Sequence, residues 1–115
     1  MKNGYLFGSP YVVFKMKENE IRIFVDTGFD GALVLPKSVI HHCKFPFFCE
    51  TEYTLANGAI VQAEIFQAPI KWLNKRKIVL VVAGNDDTCL LGMELLKDAK
   101  TLLIPSQNVL SIEAV

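Results

Sequence analysis

Asp26, Thr27 and Gly28 follow one another at the end of an alternating apolar stretch, Ile21-Arg22-Ile23-Phe24-Val25. A second apolar run, Ala32-Leu33-Val34-Leu35, comes shortly after. The carboxylate is the group that could do chemistry. Gly28 permits a tight turn and a close approach of backbone to a ligand. The Thr27 hydroxyl can hold such a turn through side-chain to backbone hydrogen bonds. A chance Asp-Thr-Gly somewhere in a chain this long has odds of about 2%, so the triplet is a moderate signal by itself. Paired carboxylates can run acid–base chemistry on water without a metal: one takes a proton while the other gives one. At about 4 Å they repel by about 4 kcal/mol at an effective dielectric of about 20. Such a pair therefore holds one shared proton and titrates as a unit. This chain carries a single Asp-Thr-Gly. A pair built from it needs a second copy of the chain, and two-fold dimers are the commonest oligomers.

The elements that must position this turn read mostly as strands. Residues 11–14 are short, apolar and aromatic. Residues 20–26 alternate, with Ile21, Ile23 and Val25 pointing one way and Arg22, Phe24 and Asp26 the other. The charged turn Lys17-Glu18-Asn19 between them predicts a hairpin. Residues 32–35 predict a buried strand ending at Pro36, which can open a short helix over 37–43. Runs 50–56 and 59–66 flank Asn57-Gly58, the strongest two-residue hairpin signal because both positions tolerate positive φ. Runs 69–73 and 76–83 flank a turn at Asn74-Lys75, and residues 84–87 form a loop. Leu90-Leu91-Gly92 leads into residues 93–99, whose Leu95, Leu96 and Ala99 have helical spacing. Residues 101–104 and 109–112 predict closing strands around Pro105-Ser106. Many short strands and one C-terminal helix predict a mainly β, closed barrel. Residues 106–115 are expected to supply an edge strand suited to pairing with a second chain.

At 115 residues the chain has room for one core, so a single domain over 1–115 is expected. Hydrophobic residues make up 51% and charged residues 21%, which is too apolar for disorder. Formal net charge is zero, without the basic excess that favours nucleic acid or an anionic membrane. The first ten residues hold no uninterrupted apolar segment of signal-peptide length. The longest purely apolar run, residues 78–83, is too short to span a bilayer. A cytoplasmic protein is expected, with Cys43, Cys49 and Cys89 as free, mostly buried thiols.

Three segments in order carry a family resemblance. Phe24-Val25-Asp26-Thr27-Gly28 with Gly31-Ala32-Leu33-Val34-Leu35-Pro36 resembles the first catalytic segment of retropepsin-like aspartic proteases. Leu90-Leu91-Gly92-Met93-Glu94-Leu95-Leu96 resembles that family's second hallmark, in which two apolar residues and a glycine pack beside the catalytic turn. Ala56-Asn57-Gly58-Ala59 falls where the family places the tip of its flap hairpin. The resemblance spans most of residues 20–104. It runs to the small bacterial and archaeal single-domain members, whose turn often reads Asp-Thr-Gly-Phe.

The resemblance implies a closed β-barrel-like fold, a symmetric homodimer and one active site on the dimer axis. It implies an aspartic endopeptidase that needs no cofactor or metal, with Asp26 of each chain as the water-activating pair and an extended peptide or protein as substrate. The hairpin at Asn57-Gly58 would close over substrate and offer backbone hydrogen bonds; an ordinary surface hairpin is the alternative. Two departures stand out. In many retroviral members an acid at the place of Asp30 meets an arginine just after the hallmark glycine, and here Met93 stands there. Asp30 is left to cap a turn, to face substrate backbone, or to stand solvated. The flap tip has one glycine instead of a glycine-rich run. Phe29 could line the cleft or pack in the interface between chains, with packing the favoured role.

Other readings stay open beside this one. The same dimeric fold could bind peptides with little or no proteolysis, or the chain could be an unrelated monomeric β-barrel. His41-His42-Cys43 with Cys49 lacks paired ligand spacing for zinc. A Cys/His nucleophile lacks a third orienting group. Trp72 beside Lys75-Arg76-Lys77 reads as a solvated hairpin tip more readily than as a nucleic-acid contact.

Overall fold

A computed structural model describes residues 2–4, 9–54 and 56–115 of the chain, the Asn3 side chain excepted. The order is β1 (Lys2–Gly4), β2 (Tyr11–Met16), β3 (Asn19–Val25), β4 (Leu33–Pro36), α1 (Lys37–Cys43), β5 (Phe47–Thr54), β6 (Ile60–Trp72), β7 (Lys75–Gly84), β8 (Leu90–Leu91), α2 (Met93–Leu96), β9 (Ala99–Ile104), a 3-10 turn (Pro105–Gln107) and β10 (Val109–Ala114). The fold is mainly β, as the turn-punctuated sequence predicts.

Seven strands form one sheet in the order β2-β3-β8-β4-β7-β6-β5, and three form another in the order β1-β10-β9. Neither sheet closes on itself, which corrects the expected barrel: β2 and β5 end the larger sheet and do not pair with each other. The two sheets instead bury their inner faces in a shared core. Leu110 and Ile112 of β10 join Val12, Ile23, Leu33, Leu35, Ile40, Val81 and Leu91 there.

Local chemistry explains most boundaries. The β2–β3 hairpin turns at Lys17-Glu18, whose φ values of 46° and 72° are left-handed, with Met16 opposite Asn19. Leu73-Asn74 does the same between Trp72 and Lys75, at φ 49° and 67°. This places that turn one residue earlier than the sequence suggests. The hairpin at Asn57-Gly58 is wider than expected, because its last ladder pair is Thr54 with Ile60. Strand β6 runs unbroken through Pro69. Its pairing with β5 ends at Phe66, so beyond that point one side of β6 has no ladder to lose, and proline is tolerated. The C-terminal helix is a single turn that stops at Leu96. The C-terminal strand is not an edge: β10 lies between β1 and β9, a long-range pairing with no local signature. No helix among the described residues is long and apolar enough to cross a membrane.

Trp72 ties the β6–β7 hairpin to the hallmark segment. It is 5% exposed, its ring meets Phe14 edge-on at 5.7 Å, and its indole N–H donates to the Leu95 carbonyl at 2.9 Å. It is thus unavailable for stacking on a base. Trp72→Phe strands the Leu95 carbonyl and leaves a void. We expect a loss of about 1–3 kcal/mol in urea unfolding, against no change if the bond carries nothing.

Candidate active site

Strand β8 holds the Asp26 turn from both sides. It pairs in parallel with β3, Phe24 opposite Leu90 and Val25 opposite Leu91. It pairs antiparallel with β4, Leu33 opposite Leu91 and Val34 opposite Leu90. Both ends of the loop from Asp26 to Ala32 are thereby fixed to one two-residue strand. The backbone N–H of Asp26 donates to the Leu91 carbonyl at 2.9 Å, and Leu91 is fully buried. Leu90 is half-buried and Gly92 buried.

Inside the turn, the Asp26 carboxylate accepts the Gly28 N–H at 2.9 Å, and the Phe29 N–H donates to the Asp26 carbonyl at 3.2 Å. A Cβ on Gly28 would stand 3.2 Å from the same carboxylate oxygen, so glycine leaves that oxygen its room. The Thr27 hydroxyl does not hold the turn. Among the described residues it makes no hydrogen bond, and Thr27 is exposed. The carboxylate itself has taken that role.

The start of α2 closes the loop from behind. Gly92 N–H donates to Ala32 O at 2.9 Å, Met93 N–H to Phe29 O at 2.8 Å, and Glu94 N–H to Gly31 O at 3.1 Å. Helix-start N–H groups that would otherwise lack partners are thus spent on the catalytic-type loop. Gly92 has φ −110°, open to any residue, so its requirement is space. A Cβ there would fall on the carbonyl oxygens of Gly31 and Phe29 and on the Phe29 ring. Phe29 packs against its own chain, its ring covering Gly31 and Gly92.

Asp26 is partly exposed, and Gly28 and Asp30 are exposed. Asp30 lies close enough to β5 to act on Tyr53. Burial pushes the Tyr53 phenol up, and the nearby charges of Asp30 and Cys49 add to this. Met93, in the place of the family's arginine, is 39% exposed. Ala56, Asn57, Gly58 and Ala59 are all exposed. The Asn57 side-chain oxygen accepts the Ala59 N–H at 3.0 Å, and Gly58 at φ 85° has open space around its α-carbon. The tip thus projects away from its own chain.

Sequence reasoning did not name the apolar wall beside the carboxylate. Phe24 shares the strand face of Asp26, two residues on, and lies beside Leu90, which in turn neighbours Val34. All three are half-buried. The period-two alternation of β3 carried that signal for Phe24. A groove of about 560 Å³ lies on the β6–β7 hairpin, lined by Pro69, Lys71, Arg76 and Ile78 among others. None of its lining residues belongs to the Asp26 turn, so this groove lies apart from the candidate chemistry. His41 and His42 are exposed, Cys43 is buried, and no cluster of three metal-ligating side chains forms among the described residues.

Burial pushes the thiols of Cys43 and Cys89 up from their ordinary 9.0. For Cys43 a nearby Lys17 charge partly opposes this; for Cys89, Asp87 and Asp86 add to it. A raised thiol means its stabilising share is whole below pH 9.0 and is lost as pH climbs through the folded value. In a thiol titration with a disulfide reagent, Cys49, the half-buried one, should react first. Cys43 and Cys89 should react only on unfolding, and stability should decline in alkaline buffer. Fast labelling of all three would contradict this.

Comparison with solved structures places the whole arrangement. A retropepsin-like aspartic protease from Rickettsia conorii superposes with a TM-score of 0.66 at 22% identity, over 99% of this chain and 91% of that one. EIAV protease, in an inhibitor complex, superposes with a TM-score of 0.64 at 20% identity, over 85% of this chain and 96% of that one. No family model and no curated protein matches the sequence. The fold is the retropepsin-like fold of aspartic proteases, at a level of identity that speaks to fold alone.

Proposed function

We propose that this chain is an aspartic endopeptidase whose site forms when two copies bring their Asp26 carboxylates together on a two-fold axis. The observation that carries the reading is the held yet open turn. Asp26 is fixed through Leu91 and Gly28, while Thr27, Gly28 and Asp30 beside it face solvent. A rigid carboxylate on an open surface suits half of a shared site. Two carboxylates so placed share one proton: the ionised one takes a proton from water, and the protonated one gives its own to the carbonyl of the scissile bond. Phe24, Leu90 and Val34 would offer apolar contact to side chains flanking that bond. Ala56, Asn57, Gly58 and Ala59 would cover an extended peptide and exclude water.

A second reading keeps the dimer and the peptide groove but not the chemistry. Met93 in place of an arginine beside Asp30 favours it, since that support of the turn is missing. Solution mass together with cleavage of a peptide library between about pH 3 and 7 separates the two. A dimer that cuts supports the proposal. A dimer that cuts nothing supports the binding module. A monomer at all concentrations contradicts both.

A further inference from the structure

We infer that the outer face and free edge of the β6–β7 hairpin form a docking groove for an acidic, extended segment of a partner protein, held outside the candidate active site. The inference does not depend on whether the chain cuts peptides.

The cations of the chain are not spread evenly. Two concavities, of about 560 Å³ and 280 Å³, meet on Pro69, Ile70 and Lys71. The larger of the two has the size of ligand-holding clefts, about 300–1,000 Å³. Arg76 and Lys77 line one, and Lys2, Lys15 and Lys17 line the other. With Lys71 these are half of the 12 Lys and Arg residues. Among the described residues no acid lines either concavity. The ion pairs of the described residues take their cations from elsewhere, at Lys37, Lys97 and Lys100. Lys2 donates to the Val13 carbonyl at 2.7 Å, and none of the six is paired with a carboxylate.

Two of these cations are set against each other. Lys71 stands directly opposite Arg76 across the hairpin. Like charges so placed repel and cost stability, and a bound carboxylate relieves that cost. Apolar surface adjoins them. Ile78 lies opposite Pro69 on the same face and is 70% exposed, and Leu80 two residues on is 45% exposed. Charge beside open apolar surface suits a segment in which acidic and apolar side chains are interleaved.

The backbone narrows the class of partner. Trp72 and Lys75 close a two-residue turn and so exchange hydrogen bonds. Even-numbered residues of β6 then bond to β7, and odd-numbered ones turn away. Gln67 does so, its N–H donating to the Pro46 carbonyl at 2.9 Å. Past it, Pro69 turns a carbonyl, and Lys71 a carbonyl and an N–H, to a side where pairing with β5 has stopped. An extended peptide can use these groups. Pro69 offers no N–H, so the edge suits a short segment better than a whole sheet. A lipid headgroup or a nucleic acid has no strand backbone to lay there. Single-stranded nucleic acid also needs open rings for stacking, whereas Trp72 and Phe14 in this region are buried.

Fluorescence anisotropy of a labelled peptide that alternates glutamate with valine tests this, with the Asp26→Asn chain used so that the probe is not cut. The peptide should bind, and its counterpart with glutamine for glutamate should bind about tenfold more weakly. Lys71→Glu together with Arg76→Glu should weaken binding by about tenfold to hundredfold, with circular dichroism unchanged. Lys71→Glu alone sets an acid opposite Arg76, so that chain should melt no earlier than its parent while binding the probe less. A purely structural pair would not separate binding from stability in this way. If the double variant does not fold, Lys71→Gln with Arg76→Gln replaces it under the same expectation. The inference is overturned if the glutamate peptide does not bind, if it binds the double variant as tightly, or if oligothymidine or phosphatidylserine vesicles displace it at equal charge. A lower sedimentation mass for the double variant would make the groove an interface between copies of this chain, and would overturn it as well.

Discussion

Asp26→Asn in both copies is expected to lower peptide cleavage by about 10³-fold or more while leaving fold and dimer intact. The substitution is close to isosteric. Its amide oxygen can still accept the Gly28 N–H that the carboxylate accepts at 2.9 Å, so the turn keeps its shape. The Asp26 backbone N–H to Leu91 does not depend on the side chain at all. Stability should therefore stay within about 0.5 kcal/mol of native. What disappears is the negative charge that takes a proton from water. Cleavage that survives the substitution, with contaminating protease excluded by a mock purification, would remove Asp26 from the chemistry.

Gly92→Ala is expected to damage the fold and the candidate site together. The new carbon would strike two backbone oxygens, those of Gly31 and Phe29, and the Phe29 ring. Backbone cannot rotate away as a side chain can, so the loop must move off β8. The three hydrogen bonds from Gly92, Met93 and Glu94 to that loop would lengthen with it. A cost of about 3 kcal/mol is at the upper end for overpacking, which lowers Tm by roughly 10 °C in a domain this size. Cleavage should fall as well, since a misplacement of about 1 Å in a reacting group can cost about 10²-fold. Thermal unfolding and a cleavage assay read both effects. Near-native values would mean that Gly92 and the Asp26 loop are less tightly joined than their hydrogen bonds imply.

The parts of the site that were legible from sequence are those written in adjacent residues. Asp26-Thr27-Gly28 announces a turn because its glycine and its acid are next to each other. Leu90-Leu91-Gly92 announces its partner through two apolar residues and a residue that must lack a side chain. The period-two alternation that runs through β3 put Phe24 and Asp26 on one face, and with them one of the three residues of the apolar wall.

What sequence did not disclose depends on distant pairing. Nothing in Lys2–Gly4 says that it will pair with β10, and so the C-terminal strand read as an edge when it is flanked on both sides. Closure is equally non-local, and the expected barrel is two open sheets on one core. Competition between local signals accounts for the rest. Runs 59–66 and 69–73 read as two strands, but they are one, because Pro69 sits where the pairing with β5 has already stopped. Asn57-Gly58 reads as a two-residue turn, but the Asn57 side chain spends itself on Ala59 within a wider loop. Thr27 reads as the brace of the turn, but the carboxylate reached the Gly28 N–H first.

The central claim is that two chains share one site, and mixing tests it most directly. Native chain and Asp26→Asn chain are unfolded together in equal amounts, refolded, and assayed against the same total of native chain refolded alone at equal final concentration. If each site needs both carboxylates, random pairing leaves half of the native chains in native–native dimers, so activity per native chain falls to about one half. It should fall further, in proportion to the native fraction, as the variant is raised. Activity per native chain that stays constant at every ratio would show that each chain works alone, and would contradict the account.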